Sequence, residues 1–297
     1  MSNQETAPNQ PWTILKLLNW AASYFQSYQI DSPKSTAEIL LAHALDLKRI
    51  DLYLQYDRPL NKAELAAFKQ LVRRRTKREP VAYIIGAKEF WSLPLKVGSA
   101  VLIPRPDTER VVDVALELLS REKLNSPLRI LDLGTGSGAI ALSLASERKE
   151  HIFFANDISY AATALARLNA DKNNVGNIHF FTGDWLDAMR PSEMPFDMIV
   201  SNPPYIPSGD IPYLQPEITQ HEPLAALDAG PDGLMCLRHL IQHAWPYLRP
   251  DGHLVLEIGF EQKDQVAEMV RGDGHYHDFA VHKDYGGHDR VVCMQRV

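Results

Sequence analysis

Two stretches of this chain combine residue types and spacing that could do chemistry. The first is Asp132-Leu133-Gly134-Thr135-Gly136-Ser137-Gly138-Ala139. An apolar run enters it and a helical pattern leaves it. Glycines let the backbone approach a ligand without side-chain obstruction, and a helix start offers N–H groups to an anion. Gly134-x-Gly136-x-x-Ala139 also satisfies the dinucleotide fingerprint in its G-x-G-x-x-A form. Asp157 ends the next apolar run, where an acid could hold ribose hydroxyls. These features suit NAD and S-adenosylmethionine alike, so they indicate an adenosine ribose more firmly than they name a cofactor.

The second stretch discriminates. Residues 196–200 read as a strand that delivers Ser201-Asn202-Pro203-Pro204-Tyr205-Ile206 at its carboxyl end. Consecutive prolines have no N–H, so this loop presents carbonyl acceptors without donors of their own. Asn202 adds a side-chain acceptor and Tyr205 a flat apolar face. Together they could hold a planar –NH2 group by both hydrogens. Such a nitrogen, conjugated to a carbonyl or ring, is a weak nucleophile. Orienting it toward an electrophilic methyl makes chemical sense, whereas hydride transfer has no evident need for this loop.

The elements that must position these loops follow from periodicity. Ile14, Leu17, Leu18, Ala21, Ala22 and Phe25 recur at helical spacing. Ser32-Pro33 has the form of an N-cap followed by proline, and Asn61 with Glu64 that of a capping box. The helix after Asn61 ends in Arg73-Arg74-Arg75-Thr76-Lys77-Arg78 and is stopped by Pro80. A small domain of four or five helices is expected over 1–79. Residues 80–107 read as a hairpin and linker, with strand-like runs at 83–86, 90–91 and 93–97. From 108 to 297 strands and helices alternate, which predicts βαβ units and a mostly parallel α/β sheet. Strands are expected at 129–133, 152–157, 178–181, 196–200, 253–258, 277–282 and 290–295. Helices are expected at 139–146, 159–171, 233–247 and 261–270. Such sheets bind ligands at the carboxyl ends of their strands.

Composition sets the outer bounds. The chain has 297 residues, 45% apolar and 23% charged, which excludes a disordered or fibrous protein. No apolar run approaches the roughly 20 residues of a membrane span, and the first residues lack a secretory pattern. Cys236 and Cys293 are the only cysteines and form no Cys-x-x-Cys pair, so a reducing cytoplasm is expected. Residues 1–90 hold 13 Lys and Arg against 9 Asp and Glu, and the remainder holds 18 against 28. The net charge of −6 makes a stable complex with a nucleic-acid backbone unexpected, though the basic N-terminal part could meet an acidic partner.

Residues 131–138, Asp157, Gly183-Asp184-Trp185 and 202–205 resemble the class I S-adenosylmethionine-dependent methyltransferases. More narrowly, the chain is similar to the protein-(glutamine-N5) methyltransferases of the release factor (PrmC/HemK) family. Pro80-Val81-Ala82-Tyr83, Glu89-Phe90-Trp91, Ile103-Pro104-Arg105-Pro106-Asp107-Thr108-Glu109, His221-Glu222-Pro223 and Asp284-Tyr285-Gly286 extend the resemblance over nearly the whole chain. The Asn-Pro-Pro-Tyr loop alone is shared with DNA adenine-N6 methyltransferases; the motif through Glu109 is more specific.

The resemblance implies a Rossmann-like, mostly parallel seven-stranded sheet with a helical N-terminal domain that reads the substrate. It implies that Gly134, Thr135, Gly136, Ser137 and Gly138 surround the methionine end of S-adenosylmethionine. Asp157 would bind the ribose, and Asp184 with Trp185 would border the adenine, with Asn202 at the cofactor as well. Asn202 and the Pro203 carbonyl would accept the substrate amide, with Pro204 and Tyr205 shaping the pocket. The implied catalytic set is Asn202, Pro203 and Tyr205. The implied substrate is the glutamine of the Gly-Gly-Gln motif of class 1 peptide chain release factors, and the implied product is S-adenosylhomocysteine. A sulfonium methyl is already activated, so no metal is expected. With no strong general base beside the loop, the proton is expected to leave late, to water or a relay. Glutamine methylation of a ribosomal protein and, further off, adenine methylation of DNA are the rival activities.

Other clusters carry less. Cys236, His239 and His243 fall on one helical face, but without an evident fourth ligand they read as packed or surface residues. His275 and His277 read the same way. Arg73 to Arg78 suits either a solvated helix end or a partner contact. Arg105, Glu109 and Glu222 could order the linker or line an entrance.

Overall fold

The structure is a computed structural model, and it describes residues 11–121, 126–191 and 195–297. The polar stretch 1–10 considered above lies outside the described residues. The chain divides into two compact units: 1–85 with 216–221, and 86–215 with 222–297.

The first unit contains α1 (Ile14–Ser27), α2 (Pro33–Leu45), α3 (Arg49–Leu54), α4 (Lys62–Thr76) and α5 (Val81–Ile85). Ile14, Leu17, Leu18, Ala21 and Phe25 are buried, and they meet Leu40, Leu41, Leu52, Phe68 and Val72 in one core. The Asn61 carboxamide accepts the N–H groups of Ala63 and Glu64 at 2.9 Å, and Glu64 accepts that of Asn61 at 2.8 Å. The start of α4 thereby loses three unsatisfied donors. Ser32 takes a left-handed conformation and makes no side-chain cap, so Pro33 alone marks the start of α2. Residues 83–85, expected in a strand, lie in α5, where Tyr83 and Ile84 are buried. Within the arginine run Arg73 and Lys77 are exposed, whereas three arginines are paired within the protein. Arg75 is buried and pairs with Glu217 at 2.6 Å, Arg78 reaches the same carboxylate at 2.9 Å, and Arg74 pairs with Glu79.

The second unit opens with a hairpin of β1 (Ala87–Phe90) and β2 (Leu93–Lys96). Its turn residues Trp91 and Ser92 both have positive φ, the geometry of a type I′ two-residue hairpin. There follow α6 (Glu109–Arg121), β3 (Arg129–Leu133), α7 (Ala139–Glu147), β4 (Ile152–Asp157), α8 (Tyr160–Lys172), β5 (Ile178–Thr182) and β6 (Phe196–Ser201). The chain then contributes α9 (Pro216–His221) to the first unit. It continues with α10 (Met235–Ala244), β7 (Leu248–Glu257), α11 (Lys263–Asp273), β8 (Tyr276–Lys283) and β9 (Asp289–Arg296).

Seven strands form one sheet in the order β5-β4-β3-β6-β7-β9-β8. The first five are mutually parallel, and β9 runs antiparallel to both neighbours. Alternate residues serve two cores, as strand pleating demands. Ile130, Val200, Val255 and Val291 pack on one face with α6 and α7, whereas Leu131, Ile199, Leu254 and Val292 pack on the other with α10 and α11. The chain moves outward from β3 to β5 and then returns to β6 beside β3. Strand order reverses there, which opens a crevice at the carboxyl ends of β3 and β6. Both chemistry-bearing loops emerge at that point. No helix among the described residues is long and apolar enough to cross a membrane.

Candidate active site

The glycine loop follows β3. Gly134, Gly136 and Gly138 all have positive φ, and at Gly138 an added Cβ would stand 2.3 Å from the Leu142 side chain. Gly138 thus serves the turn and the packing of the loop against α7 and α8. Asp132, buried at the end of β3, accepts the Thr135 hydroxyl at 2.6 Å and the Ala141 N–H at 3.2 Å. The N-terminus of α7, expected to be open to an anion, already has a carboxyl group of the protein beside it. Burial pushes the Asp132 carboxyl up to about 7, and its second oxygen has no partner among the described residues.

Asp157 ends β4 and faces the loop. Its oxygens accept the N–H groups of Gly136 and Ser159, each at 2.9 Å. Burial raises its pKa, and these two hydrogen bonds oppose the rise. The preceding residue, Asn156, is fully buried and donates to the Trp185 carbonyl at 2.6 Å, which holds the 183–185 turn against β4. Trp185 itself has positive φ, an uncommon state for a large side chain. Asn169 on α8 is also fully buried. It accepts the Lys96 N–H at 2.7 Å and donates to the Lys96 and Ser137 carbonyls at 3.0 and 2.9 Å, joining the hairpin to the glycine loop.

The Asn-Pro-Pro-Tyr loop follows β6, which is tied to β3 by the Ser201 hydroxyl donating to the Leu133 carbonyl at 2.7 Å. The Asn202 amide nitrogen donates to the Thr108 hydroxyl oxygen at 3.1 Å, and the Tyr205 hydroxyl donates to Glu257 at 3.2 Å. Glu257 is buried at the end of β7. Burial pushes its carboxyl up to about 7, opposed by the neighbouring Thr108, Arg290 and Tyr205, and its second oxygen has no hydrogen-bond partner among the described residues. The Tyr205 hydroxyl is driven well above its usual range by burial and then by the charge of Glu257. Gln262 donates to the Tyr205 carbonyl at 3.0 Å and fixes the end of the loop. In the linker, Glu222 accepts from Arg105 at 2.5 Å and from the Ile103 N–H at 3.2 Å. Glu109 accepts the Trp91 N–H at 3.0 Å. These contacts order the linker and the hairpin.

A cavity of about 400 Å³ lies within the second unit at this crevice. Gly134, Thr135, Gly136, Ser137, Asp157, Asp184, Trp185, Asn202 and Pro204 all line it. Gly138, Pro203 and Tyr205 do not: Gly138 is turned to Leu142, and Tyr205 is held by Glu257. Arg105, Thr108 and Cys236 line it as well. His239 packs against Trp185 at a ring separation of 6.3 Å and stacks on His243 at 4.5 Å.

Comparison with known proteins agrees with this geometry. Residues 16–86 match the model of the PrmC N-terminal domain, and residues 108–214 match that of the methyltransferase small domain. The chain is 41% identical over 281 residues to the release factor glutamine methyltransferase of Geobacter sulfurreducens, covering 95% of this chain and 96% of that protein. It is 43% identical over 267 residues to the protein of that name from Aliivibrio fischeri, covering 90% and 92%. The chain belongs to the release factor glutamine methyltransferase family. Among solved structures, the hMettl16 catalytic domain in complex with MAT2A 3'UTR hairpin 6 shares the fold. Its TM-score is 0.55 at 16% identity, covering 69% of this chain and 76% of that one.

Around the cavity of this methyltransferase stand residues that motif reading passed over. Thr108 lay inside the quoted linker motif without a role. Asn156, Asn169 and Glu257 belonged to no recognisable motif, because each acts on a segment distant in sequence. A buried polar residue in an otherwise apolar run, such as Asn156 after Ile152-Phe153-Phe154-Ala155, is the one mark that could have flagged them.

Proposed function

We propose that this enzyme transfers the methyl group of S-adenosylmethionine to the side-chain amide nitrogen (N5) of the glutamine in the Gly-Gly-Gln motif of class 1 peptide chain release factors. S-adenosylhomocysteine is the other product. The observation that carries the proposal is the single cavity in which Asp157 and the glycine loop share walls with Asn202 and Pro204. Family membership supports the release factor over a ribosomal protein or DNA as acceptor.

The residues present suit the cofactor. The cavity is within the size range of small-molecule sites. Asp157 spends one lone pair of each oxygen on backbone N–H groups, so acceptor capacity remains for two ribose hydroxyls. Asp184 and Trp185, which line the same cavity, would border the adenine. Asp132 takes the Ala141 N–H at the start of α7, a position where a dinucleotide would place its pyrophosphate. That favours a sulfonium cofactor over a dinucleotide. When bound, S-adenosylmethionine supplies a methyl already activated by the positive sulfur.

The chain's own work is positioning. Asn202 Oδ1 and the Pro203 carbonyl would accept the two hydrogens of the substrate amide, Pro204 lines the space around it, and Tyr205, bonded to Glu257 and outside the lining, would hold the loop. Acceptors on both hydrogens favour the positive charge that develops on nitrogen. Orientation of this kind can contribute roughly 7–11 kcal/mol to lowering a barrier. The first unit would read the release factor. Trp20 on α1 and Trp12 and Tyr28 at its two ends are exposed, with Trp20 stacked on Tyr24 at 5.1 Å, the kind of aromatic anchor that protein interfaces favour. The setting implied is the cytoplasm.

The test is labelled-methyl transfer in one vessel containing release factor, ribosomal protein and adenine-containing DNA, with the product mapped by mass spectrometry. Methyl on the Gly-Gly-Gln glutamine, abolished by Asn202→Ala, is expected. Methyl on another acceptor would keep the chemistry and overturn the substrate.

A further inference from the structure

We propose that Gln262 is a positioning residue that holds the Asn-Pro-Pro-Tyr loop in register with the turn that carries Met235 and Cys236 into the cavity. The inference rests on the function proposed above. Gln262 directly precedes α11 and is 8% exposed. Its carboxamide is spent on backbone: Oε1 accepts the Gly259 N–H at 2.8 Å, and Nε2 donates to the Tyr205 and Gly233 carbonyls, each at 3.0 Å. One donor and two acceptors face the side chain, so only one orientation of the amide satisfies them. Met235 and Cys236, just beyond Gly233, line the cavity, as do Asn202 and Pro204, just before Tyr205. Gln262 does not line it.

The acceptor loop needs holding from outside. Pro203 and Pro204 have no N–H, so neither can anchor the loop by a backbone donor. Tyr205, the first residue after the prolines, is gripped at two points. Glu257 accepts its hydroxyl at 3.2 Å, and Gln262 donates to its carbonyl. The grips come from the end of β7 and the residue before α11. Beyond Tyr205 the loop pairs with the turn itself. The Ile206 N–H donates to the Leu227 carbonyl at 3.2 Å, and the Ala229 N–H donates to the Ile206 carbonyl at 3.0 Å.

The loop and the turn approach closely at this point. Gly233 has positive φ, and a Cβ there would stand 2.7 Å from the Tyr205 carbonyl oxygen and 3.1 Å from Gln262 Nε2. One NH2 group serves both carbonyls. Without it, two carbonyl oxygens of like partial charge face each other unpaired, a cost that parting the loop from the turn relieves. The Asn202 and Pro203 acceptors, earlier in the same loop, then lose their fixed direction toward the substrate amide. The glycine loop and Asp157 follow β3 and end β4, and Gln262 touches neither. Its loss therefore costs aim at the nitrogen and leaves the hold on the cofactor in place.

The experiment compares the parent with Gln262→Glu and Gln262→Met. Glutamate keeps an acceptor for Gly259 and offers the two carbonyls no N–H; methionine fills similar space with neither. The readouts are kcat, KM for the release factor, S-adenosylmethionine affinity by calorimetry, Tm, and hydrogen exchange at the Ile206 and Ala229 amides. Gln262→Glu is expected to lower kcat about 10- to 100-fold, the scale of a misplaced reacting group. S-adenosylmethionine affinity should stay close to parental, and exchange at both amides should quicken. Gln262→Met should show the same pattern. Parental kcat in a folded variant overturns the inference. So does a fall in kcat that is matched by an equal loss of cofactor affinity, or that comes without faster exchange. If Gln262→Glu fails to fold, Gln262→Met decides by the same readouts. A parent enzyme that leaves the release factor glutamine unmethylated is a failure of the proposed function, separate from these outcomes; the exchange measurement then still decides whether Gln262 holds the loop.

Discussion

On the glycine-loop side of the cavity, backbone groups do most of the holding. Asp157 grips the N–H of Gly136, Asp132 grips that of Ala141, and Asn156 grips the carbonyl of Trp185. On the acceptor side, side chains hold side chains: Asn202 to Thr108, Tyr205 to Glu257, and Arg105 to Glu222. The two walls ask for different things. A cofactor with many contacts is served by a rigid, closely approached backbone. An amide nitrogen that must be aimed is served by acceptors whose direction is held by neighbouring side chains. The first wall should fail in affinity or stability when altered, and the second in turnover.

Asn202→Ala gives the largest effect on this view. kcat should fall about 100- to 1000-fold, with S-adenosylmethionine affinity close to parental by calorimetry; a matching loss of affinity would erase the distinction between the walls. Asp157→Ala is next. It should weaken cofactor binding about 10- to 100-fold, the worth of charged hydrogen bonds, while kcat at saturating cofactor changes far less. Gly138→Ala should cost about 1–3 kcal/mol in stability, because its Cβ would meet Leu142 at 2.3 Å in a positive-φ conformation. A lowered Tm with nearly unchanged cofactor affinity is expected, since Gly138 does not line the cavity.

Asp132→Asn gives the smallest and most conditional effect. The carboxyl ionises near 3.8 when unfolded and near 7 when folded. Between those values the folded state holds a proton that the unfolded state has lost, so this group lowers stability as pH rises from about 4 to 7. Asparagine keeps an acceptor for Thr135 and Ala141 without that titration. The Tm of Asp132→Asn relative to the parent should therefore rise across this range. A constant difference would show that the buried carboxyl is ionised throughout.

Legibility followed the range of the interaction. Asn61 and Glu64 are three residues apart, and their capping box was readable because both partners lie in one turn of helix. The glycine loop was readable for a similar reason: three unusual residues in five need a local backbone cause. Residues 83–85 misled, because Tyr-Ile-Ile suits a strand by propensity while burial of Tyr83 and Ile84 in a short helix decided otherwise. Arg75 and Arg78 misled too, since a basic helix end normally faces water. Here their partner, Glu217, is supplied by a segment 142 residues beyond Arg75.

The sequence by itself determined the strand–helix alternation, the two loops at strand ends and the type of chemistry they suit. Periodicity, glycine spacing and consecutive prolines act on the backbone within a few residues, and that is where a sequence carries its own physics. Tertiary structure alone decided which groups stand behind those loops. Thr108 meets Asn202 across 94 positions, Glu257 meets Tyr205 across 52, and Asn169 meets Lys96 across 73. Buried polar groups must find partners wherever packing brings them, and the strand-order reversal between β3 and β6 determines which ones those are.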